Sequence, residues 1–105
     1  MNTRLNYVED WLLLARKANW SVTKLADLCN VSVRTMERHF LKTTGKTPKV
    51  WLAEQRLKRA RELLSEGSSV KETAFQLGYK YPHHFSRGFK GYWGYCPTMQ
   101  TALLI

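Results

Sequence analysis

The chain has 105 residues, 44% of them hydrophobic, so it is long enough to fold as one domain around a packed core. Its longest uninterrupted apolar run, residues 11–15, is too short to span a membrane, and its start lacks the pattern of a signal peptide. Seventeen Lys and Arg against eight Asp and Glu give a net charge of +9, which favours nucleic acid or an anionic membrane surface as partner. We therefore expect a soluble intracellular protein.

Helical periodicity recurs along the chain and strand patterns are nearly absent, so the sequence predicts an all-α fold. The first helix is predicted over residues 7–18, from Tyr7. Ser21 can cap a second helix over residues 22–29, and Ser32 can cap a third over residues 33–43. The residues at core spacing in the first helix are Val8, Trp11, Leu12 and Ala15.

A longer helix is predicted to open at Thr47-Pro48, an N-cap followed by a first-turn proline, and to run to residue 65. Gly67 ends it, and the capping box Ser69–Glu72 then starts a fifth helix that runs to residue 77. The apolar stripe of the long helix consists of Val50, Ala53, Leu57, Ala60 and Leu64.

Pro82 fits the first turn of a sixth helix, which is predicted to carry Phe85, Phe89 and Tyr92 inward, and a short last helix can begin at Pro97. The aromatic residues fall at helical spacing, so core packing is favoured over base stacking for them. They are Trp11, Trp20, Trp51, Trp93, Phe40, Phe85 and Phe89.

The sequence also contains an imperfect internal repeat, with an offset of 48 residues before a turn and 49 after it. At the first offset the matches are Ser21 with Ser69, Ala26 with Ala74, Asn30 with Gly78 and Val31 with Tyr79. At the second they are Arg38 with Arg87, Phe40 with Phe89, Gly45 with Gly94 and Pro48 with Pro97. The second turn is therefore one residue longer than the first.

Each half of the repeat meets the physical requirements of a helix-turn-helix. A small residue, Ala26 or Ala74, lets two helices approach closely. The tight turn four residues later needs a residue that tolerates the left-handed region, and Asn30 and Gly78 do so at low cost. The helix after the turn is the one that such motifs place in the DNA major groove.

The third predicted helix has an apolar side with Val33, Met36 and Phe40 and a side on which Arg34 and Arg38 stand four residues apart. Like charges at that spacing weaken an isolated helix by about 0.2–0.5 kcal/mol, and Lys42 extends the row. Solvation of an exposed basic face is one interpretation. The other, which we favour, is that guanine edges or phosphates face these arginines and relieve their repulsion.

Catalytic and metal-binding patterns are absent from the sequence. Cys29 and Cys96 form no CxxC motif and have no close His partner, so both are predicted to be ordinary reduced thiols. Adjacent His83 and His84 cannot share one helix face, and no carboxylate or thiol completes a metal set. Ser86 lacks a nearby base, and there is no Gly-rich phosphate loop. The sequence therefore predicts neither an enzyme nor a cofactor.

Two helix-turn-helix units joined by a long helix resemble the DNA-binding domain of the AraC/XylS family of bacterial transcription regulators. The resemblance covers nearly all of residues 8–98. It rests on LADLCNVSVRTMERHFLKTTGKTP in the first half and on AFQLGYKYPHHFSRGFKGYWGYCP in the second, with its glycine-aromatic turn, Phe-Ser-Arg step, Phe-Lys pair and closing Gly-x-x-Pro. In the linker helix it rests on Trp51, Arg56, Ala60, Leu63 and Leu64.

The chain departs from the family pattern at two places. Tyr81-Pro82-His83-His84 stands where family members usually carry a small polar or acidic cap, and PTMQT stands where an aromatic-Arg pair is common. The domain organisation that the resemblance implies is a first subdomain over residues 7–46, a linker helix over 48–65 and a second subdomain over 69–103.

The resemblance implies that each recognition helix presents its N-terminal turns to base edges. The base-contact candidates carried over by position are Arg34, Thr35, Glu37, Arg38, His83, His84, Ser86 and Arg87. The phosphate-contact candidates, for which solvated surface is the alternative, are Ser32, Lys42, Lys46, Lys49 and Lys90. Glu37 can accept from a cytosine amine or pair with Arg34, and Arg56 can hold helix-end carbonyls or touch DNA.

The predicted linker helix is about 27 Å long at 1.5 Å per residue, close to the ~34 Å of one DNA turn. A monomer could therefore place both recognition helices in successive major grooves. The resemblance implies double-stranded DNA as the partner, in the bacterial cytoplasm, and leaves RNA polymerase open as a second partner. A nonspecific or architectural nucleic-acid binder, and a targeting domain of a larger regulator or enzyme, are the alternatives. The sequence leaves open activation or repression and a whole regulator or part of one.

Overall fold

The computed structural model of the chain describes Leu5, Val8 and residues 10–102. That part of the chain contains seven helices and no strand, which confirms the all-α fold class. The chain divides into two compact units, unit 1 (Met1–Ala53) and unit 2 (Glu54–Ile105). The helices are α1 (Trp11–Lys17), α2 (Val22–Leu28), α3 (Val33–Thr44), α4 (Pro48–Ser65), α5 (Val70–Gln76), α6 (Pro82–Trp93) and α7 (Pro97–Ala102).

The first helix begins later than the sequence predicts. Asp10 is the N-cap, because its side chain accepts the Leu13 backbone N–H at 2.9 Å, and α1 starts at Trp11. An aspartate in that position satisfies a donor of the first turn that has no partner inside the helix. Val8 precedes the helix, so the predicted start at residue 7 is wrong, and Tyr7 itself lies outside the described residues.

Unit 1 buries one continuous apolar cluster. The buried stripe of α1 runs through Ala15 and Ala18, flanked by Trp11, and predicted Leu12 lies to one side of it and is exposed. Val33 is also exposed, because it is the first residue of α3 and lies at the end of the apolar side. The cluster consists of Leu5, Ala15, Ala18, Leu25, Ala26, Cys29, Met36, Phe40 and Leu52.

The turn between α2 and α3 has the geometry that the sequence predicts. Asn30 has a φ of 55°, in the left-handed region, and the next N–H, of Val31, donates to the Ala26 carbonyl at 3.0 Å. Ser21 caps α2 and Ser32 caps α3, each by accepting a backbone N–H three residues ahead. The helix bounds differ from the predicted ones by a single residue, α2 ending at 28 and α3 at 44.

Helix α4 spans the boundary between the two units and contributes to both cores. The Thr47 hydroxyl accepts the Val50 N–H at 3.3 Å and Pro48 is the first helical residue, which confirms the predicted start. The predicted stripe is correct at Leu57, Ala60 and Leu64 but wrong at Val50, which is 47% exposed, and at Ala53. Leu52 is the residue of α4 that is buried in the core of unit 1, whereas the later apolar residues of α4 belong to unit 2.

Unit 2 repeats the arrangement of unit 1. Ser69 and Glu72 form the predicted capping box, with both bonds at 3.0 Å. Gly78 has a φ of 79°, and the Tyr79 N–H donates to the Ala74 carbonyl at 3.0 Å, as the equivalent residues do in unit 1. The buried apolar residues of unit 2 are Leu57, Ala60, Leu63, Leu64, Ala74, Leu77, Phe85 and Phe89.

Helix α6 turns Phe85 and Phe89 fully inward, as predicted, but not Tyr92, which is 39% exposed. Trp93 packs inward at that end of the helix instead, because its indole N–H donates to the Leu57 carbonyl at 3.0 Å. The Tyr92 ring then lies edge-on against the Trp93 ring, with 5.0 Å between their centroids. The start of α7 at Pro97 is as predicted.

Both cysteines are free thiols: Cys29 is buried, which raises the pKa of its thiol, and Cys96 is exposed. The three buried phenylalanines and the half-buried tryptophans pack in the two units, which confirms core packing for the aromatic residues. None of the helices between residues 10 and 102 combines the length and apolar character that crossing a membrane requires.

Candidate nucleic-acid interface

The outer side of α3 carries the charged residues that the sequence predicts as base contacts. Arg34, Glu37 and Arg38 are all exposed, whereas Met36 and Phe40 are buried on the opposite side of the helix. Within the described part of the chain no ion pair joins Glu37 to Arg34, so the proposed internal pair is not formed. The helix therefore presents two guanidinium groups and a carboxylate to solvent, none of them in an ion pair with another described residue.

Hydroxyl groups at the start of α3 are already partly engaged. Ser32 accepts the Thr35 backbone N–H at 3.1 Å, and the two hydroxyl oxygens lie 2.9 Å apart in a second hydrogen bond. Of the two hydroxyl protons, one is used between the pair and one stays available. Ser32 and Thr35 can thus act together on DNA as a single O–H donor while the cap is kept.

Three lysines continue the basic surface from the end of α3 into the start of α4. Lys42, Lys46 and Lys49 are exposed. Thr44 holds the turn between α3 and α4. Its hydroxyl donates to the Phe40 carbonyl at 2.7 Å and accepts the Lys46 N–H at 3.1 Å. This basic edge matches the surface on which phosphate contacts are expected.

In unit 2 the predicted base-contact residues lie within positions 83–87 of α6. His83, His84 and Arg87 are exposed there, and Ser86 is half-buried and so is a weaker candidate for base contact. Lys90, the predicted phosphate contact, is exposed one turn beyond Ser86. The face of α6 is less basic than that of α3, because histidine stands in place of the first arginine.

An aromatic cluster precedes and overlaps the first turn of α6. The Tyr81 ring stacks on the His83 ring at 5.5 Å and meets the His84 ring edge-on at 5.4 Å. The Lys80 ammonium lies 5.5 Å from the centre of the Tyr81 ring. Lys80 and Tyr81 are not among the contact residues predicted from the sequence, although an exposed aromatic residue and a lysine directly before a proline-started helix are a usable signal.

Arg56 faces the protein and holds the turn between α5 and α6. Its Nε donates to the Leu77 carbonyl at 2.9 Å, and its guanidinium lies 3.6 Å from the centre of the Tyr79 ring. Burial lowers the pKa of Arg56, and burial raises the pKa of Tyr79. Of the two roles left open for Arg56, the structure shows the contact with a helix-end carbonyl.

Unit 1 also contains a cleft of about 360 Å³ lined by the half-buried His39, a residue that is not among those predicted from the sequence. Burial and, to a smaller extent, the charge of Lys42 lower the pKa of His39. The residues lining the cleft are Leu5, Val8, Trp11, His39, Phe40, Thr43, Thr44 and Trp51. Over the described residues, no group of three His, Cys, Asp or Glu side chains is placed to hold a metal ion.

Two tight-turned helix pairs, each presenting an exposed charged face on its second helix, define a DNA-binding protein of the helix-turn-helix class. The net charge of +9 agrees with a polyanionic partner.

Comparison with known proteins identifies the family within that class. The family described as "Helix-turn-helix domain" matches residues 25–99. The chain is 41% identical over 80 residues to the HTH-type transcriptional regulator YidL of Escherichia coli K12, covering 75% of this chain and 27% of YidL. It is 35% identical over 98 residues to the HTH-type transcriptional activator RhaS of Escherichia coli O1:K1 / APEC, covering 90% of this chain and 34% of RhaS.

A solved structure gives the same result for the fold. The DNA-binding domain of the global transcriptional factor AdpA, in complex with a target DNA, is similar with a TM-score of 0.75 and 30% identity, covering 88% of this chain and 86% of that one. The chain belongs to the AraC/XylS-type family of helix-turn-helix transcription regulators, which are DNA-binding proteins and not enzymes, as the sequence predicted. It spans about a third or less of the length of the curated relatives.

Proposed function

We propose that this domain binds double-stranded DNA at a specific sequence, with α3 and α6 as its two recognition helices. The observation that carries the proposal is the outer face of α3, where Arg34 and Arg38 are exposed on a capped helix whose opposite side is buried. Arginine is well suited to read guanine, because its guanidinium can donate two parallel hydrogen bonds to O6 and N7. The similar AdpA domain was solved in complex with a target DNA, which supports DNA as the ligand.

The residues divide by chemistry into base and phosphate contacts. Arg38 and Arg34 are assigned to guanine edges, and the exposed Glu37 to a cytosine amine. The remaining base contacts come from Thr35, His83, His84, Ser86 and Arg87. The phosphate contacts come from Ser32, Lys42, Lys46, Lys49 and Lys90.

The site on DNA is asymmetric and is bound by a single copy of the domain. Residues 7–46 and 69–103 form the two DNA-reading subdomains, and residues 48–65 link them. The 18 residues of α4 correspond to about 27 Å, close to one DNA turn, which supports recognition helices in successive major grooves. A stiff connection of this kind favours DNA that bends to meet both helices.

In the cell the domain serves a bacterial transcription regulator, acting in the cytoplasm where the chromosome lies. RhaS is an activator by name, and this supports activation as the mode and RNA polymerase as a second partner.

The test begins with selection of binding sites from random duplex DNA. On the best site Arg38→Ala should lose about 1–3 kcal/mol of binding free energy, and on random duplex much less, because a base contact is lost only where its base is present. Lys42→Ala, one turn further along α3, is the control and should weaken both complexes about equally.

Equal losses for Arg38→Ala on both DNAs would reduce Arg38 to a phosphate contact. Failure of the selection to enrich any sequence would support an architectural, nonspecific binder instead, for which specific and random affinities are similar.

A further inference from the structure

Arg56 joins α4 to the turn of the helix-turn-helix in unit 2 by two different contacts, a hydrogen bond and a cation–π contact. The Nε–H donates to the carbonyl of Leu77, the C-cap residue of α5, at 2.9 Å. The flat face of the same guanidinium lies over the Tyr79 ring at 3.6 Å. One contact fixes the end of α5 and the other fixes the residue that follows the left-handed Gly78.

Tyr79 in turn contacts the recognition helix α6. Its ring packs against the fully buried Phe85 ring, in the first turns of α6, with 5.3 Å between centroids. Its hydroxyl lies 3.8 Å from the position that a Cβ on Gly88 would occupy, one turn further along. A chain of direct contacts therefore runs from Arg56 through the Tyr79 ring to Phe85 in α6.

The repeat supplies no counterpart of Arg56 and Tyr79 at the corresponding positions of unit 1. The repeat places Val31 where unit 2 has Tyr79, and counting back 48 or 49 residues from Arg56 gives Val8 or Tyr7, neither of which is basic. In unit 1 the start of α3 is held by its own Ser32 cap, at 3.1 Å, whereas α6 has no side-chain cap at Tyr81. The second recognition helix thus depends on a residue outside its own helix pair.

We propose that Arg56 is a positioning residue that sets the orientation of α6, and with it the reading of the second half of the DNA site, without itself touching DNA. The proposal rests on the function proposed above. The guanidinium is half-buried, and its Nε and one face are already occupied by Leu77 and Tyr79. Loss of these contacts lets α6 shift while every side chain on its outer face is still present.

The test uses the 105-residue chain and four DNA duplexes: the selected site, the same site scrambled in its first half, the same site scrambled in its second half, and random sequence. Arg56→Lys keeps the charge but loses the Nε donor and the flat stacking face. It should lower discrimination at the second half-site by about tenfold, the value of one mismatched base pair, and leave the first unchanged.

A paired substitution at Tyr79 keeps the test decisive if Arg56→Lys unfolds unit 2. Tyr79→Leu removes the ring that connects Arg56 to α6 and should give the same selective loss. Tyr79→Phe keeps the ring and should bind like the parent. Thermal unfolding of each variant checks that both units remain folded.

The outcomes separate the two proposals. A parent chain that discriminates at neither half-site contradicts the proposed function itself. A parent that discriminates at both, with Arg56→Lys and Tyr79→Leu unchanged, overturns the positioning role. A uniform loss on all four duplexes for Arg56→Gln but not Arg56→Lys, with a salt slope smaller by about one, would make Arg56 a phosphate contact.

Discussion

The two halves of the repeat differ in the chemistry of single buried residues at equivalent positions. Thr73 occupies the position in unit 2 that Leu25 occupies in unit 1, 48 residues earlier. Both side chains are fully buried, but the Thr73 hydroxyl has no hydrogen-bond partner. A buried hydroxyl without a partner costs free energy that an apolar side chain of the same shape would not.

Thr73→Val should therefore raise the free energy of unfolding, by about 1 kcal/mol, because it removes the unpartnered hydroxyl at almost constant volume. Urea denaturation followed by circular dichroism measures the change. Thr44→Val is the matched control and should lower stability, since the Thr44 hydroxyl bonds to Phe40 and Lys46. A Thr73→Val protein that is less stable than the parent would show that the hydroxyl has a partner in solution.

His39 should make stability depend on pH near neutrality. Burial and the charge of Lys42 lower the pKa of His39 in the folded chain. In the unfolded chain the pKa of this histidine is ~6.5, so between that pH and the lower pKa of the folded state the unfolded chain binds more protons. Stability should be complete above about pH 6.5 and fall as the pH drops through the lower pKa of the folded state.

Thermal unfolding between about pH 5 and 7.5 checks this expectation, in the range where histidine changes charge. His39→Gln should flatten the profile, whereas His84→Gln, which removes an exposed imidazole, serves as the control and should leave the slope in place. Equal profiles for the parent and His39→Gln would contradict the assignment.

At the level of elements, α3 and α6 are equivalent helices held in different ways. Each has 12 residues and ends at a left-handed glycine, Gly45 or Gly94. Helix α3 has the Ser32 cap, whereas α6 begins with Pro82, lacks a side-chain cap and contains Gly88 and Gly91. Each internal glycine costs about 1 kcal/mol relative to alanine, so α6 is intrinsically the weaker helix.

Gly91→Ala should stabilise the protein by about 1 kcal/mol, because Gly91 has helical backbone geometry and a Cβ there would meet no atom within 4 Å. Gly94→Ala is the matched control, for which we expect a loss of stability. It has equally open space but a φ of +86°, so alanine should cost about 1 kcal/mol there. Chemical denaturation of both variants measures the pair, and stabilisation by Gly94→Ala would contradict the left-handed cap.

For the whole molecule, the charge of +9 determines how DNA binding responds to salt. Each phosphate neutralised by a Lys or Arg releases condensed counterions, so affinity falls steeply as salt concentration rises. The exposed basic residues of α3, the start of α4 and α6 are sufficient for several such contacts.

The logarithm of the DNA association constant plotted against the logarithm of salt concentration should have a slope of about −4 to −8, for roughly five to nine phosphate contacts. Fluorescence anisotropy with a labelled duplex measures it, and Lys42→Ala should reduce the slope by about one. A nearly flat dependence would exclude DNA as the main ligand of a chain this basic.

The sequence by itself determined the order of the helices, the serine caps of α2, α3 and α5, and the left-handed turns at Asn30 and Gly78. These features depend on interactions within four residues of the chain, such as the Ser69–Glu72 box, and local order is enough to specify them. The resemblance to the AraC/XylS family followed from the same local motifs, and the comparisons confirmed it.

Only the tertiary structure decided which apolar residues are buried and which polar ones are held. Val50 and Tyr92 have core spacing but are exposed, because Leu52 and Trp93 make the contacts at those positions. Arg56 lies 21 residues from the carbonyl that it binds, so no local pattern distinguishes this contact from one with DNA. Burial and long-range hydrogen bonds depend on which helix surfaces pack against each other. The helical period of a sequence indicates only which side of a helix is apolar, and not what that side contacts.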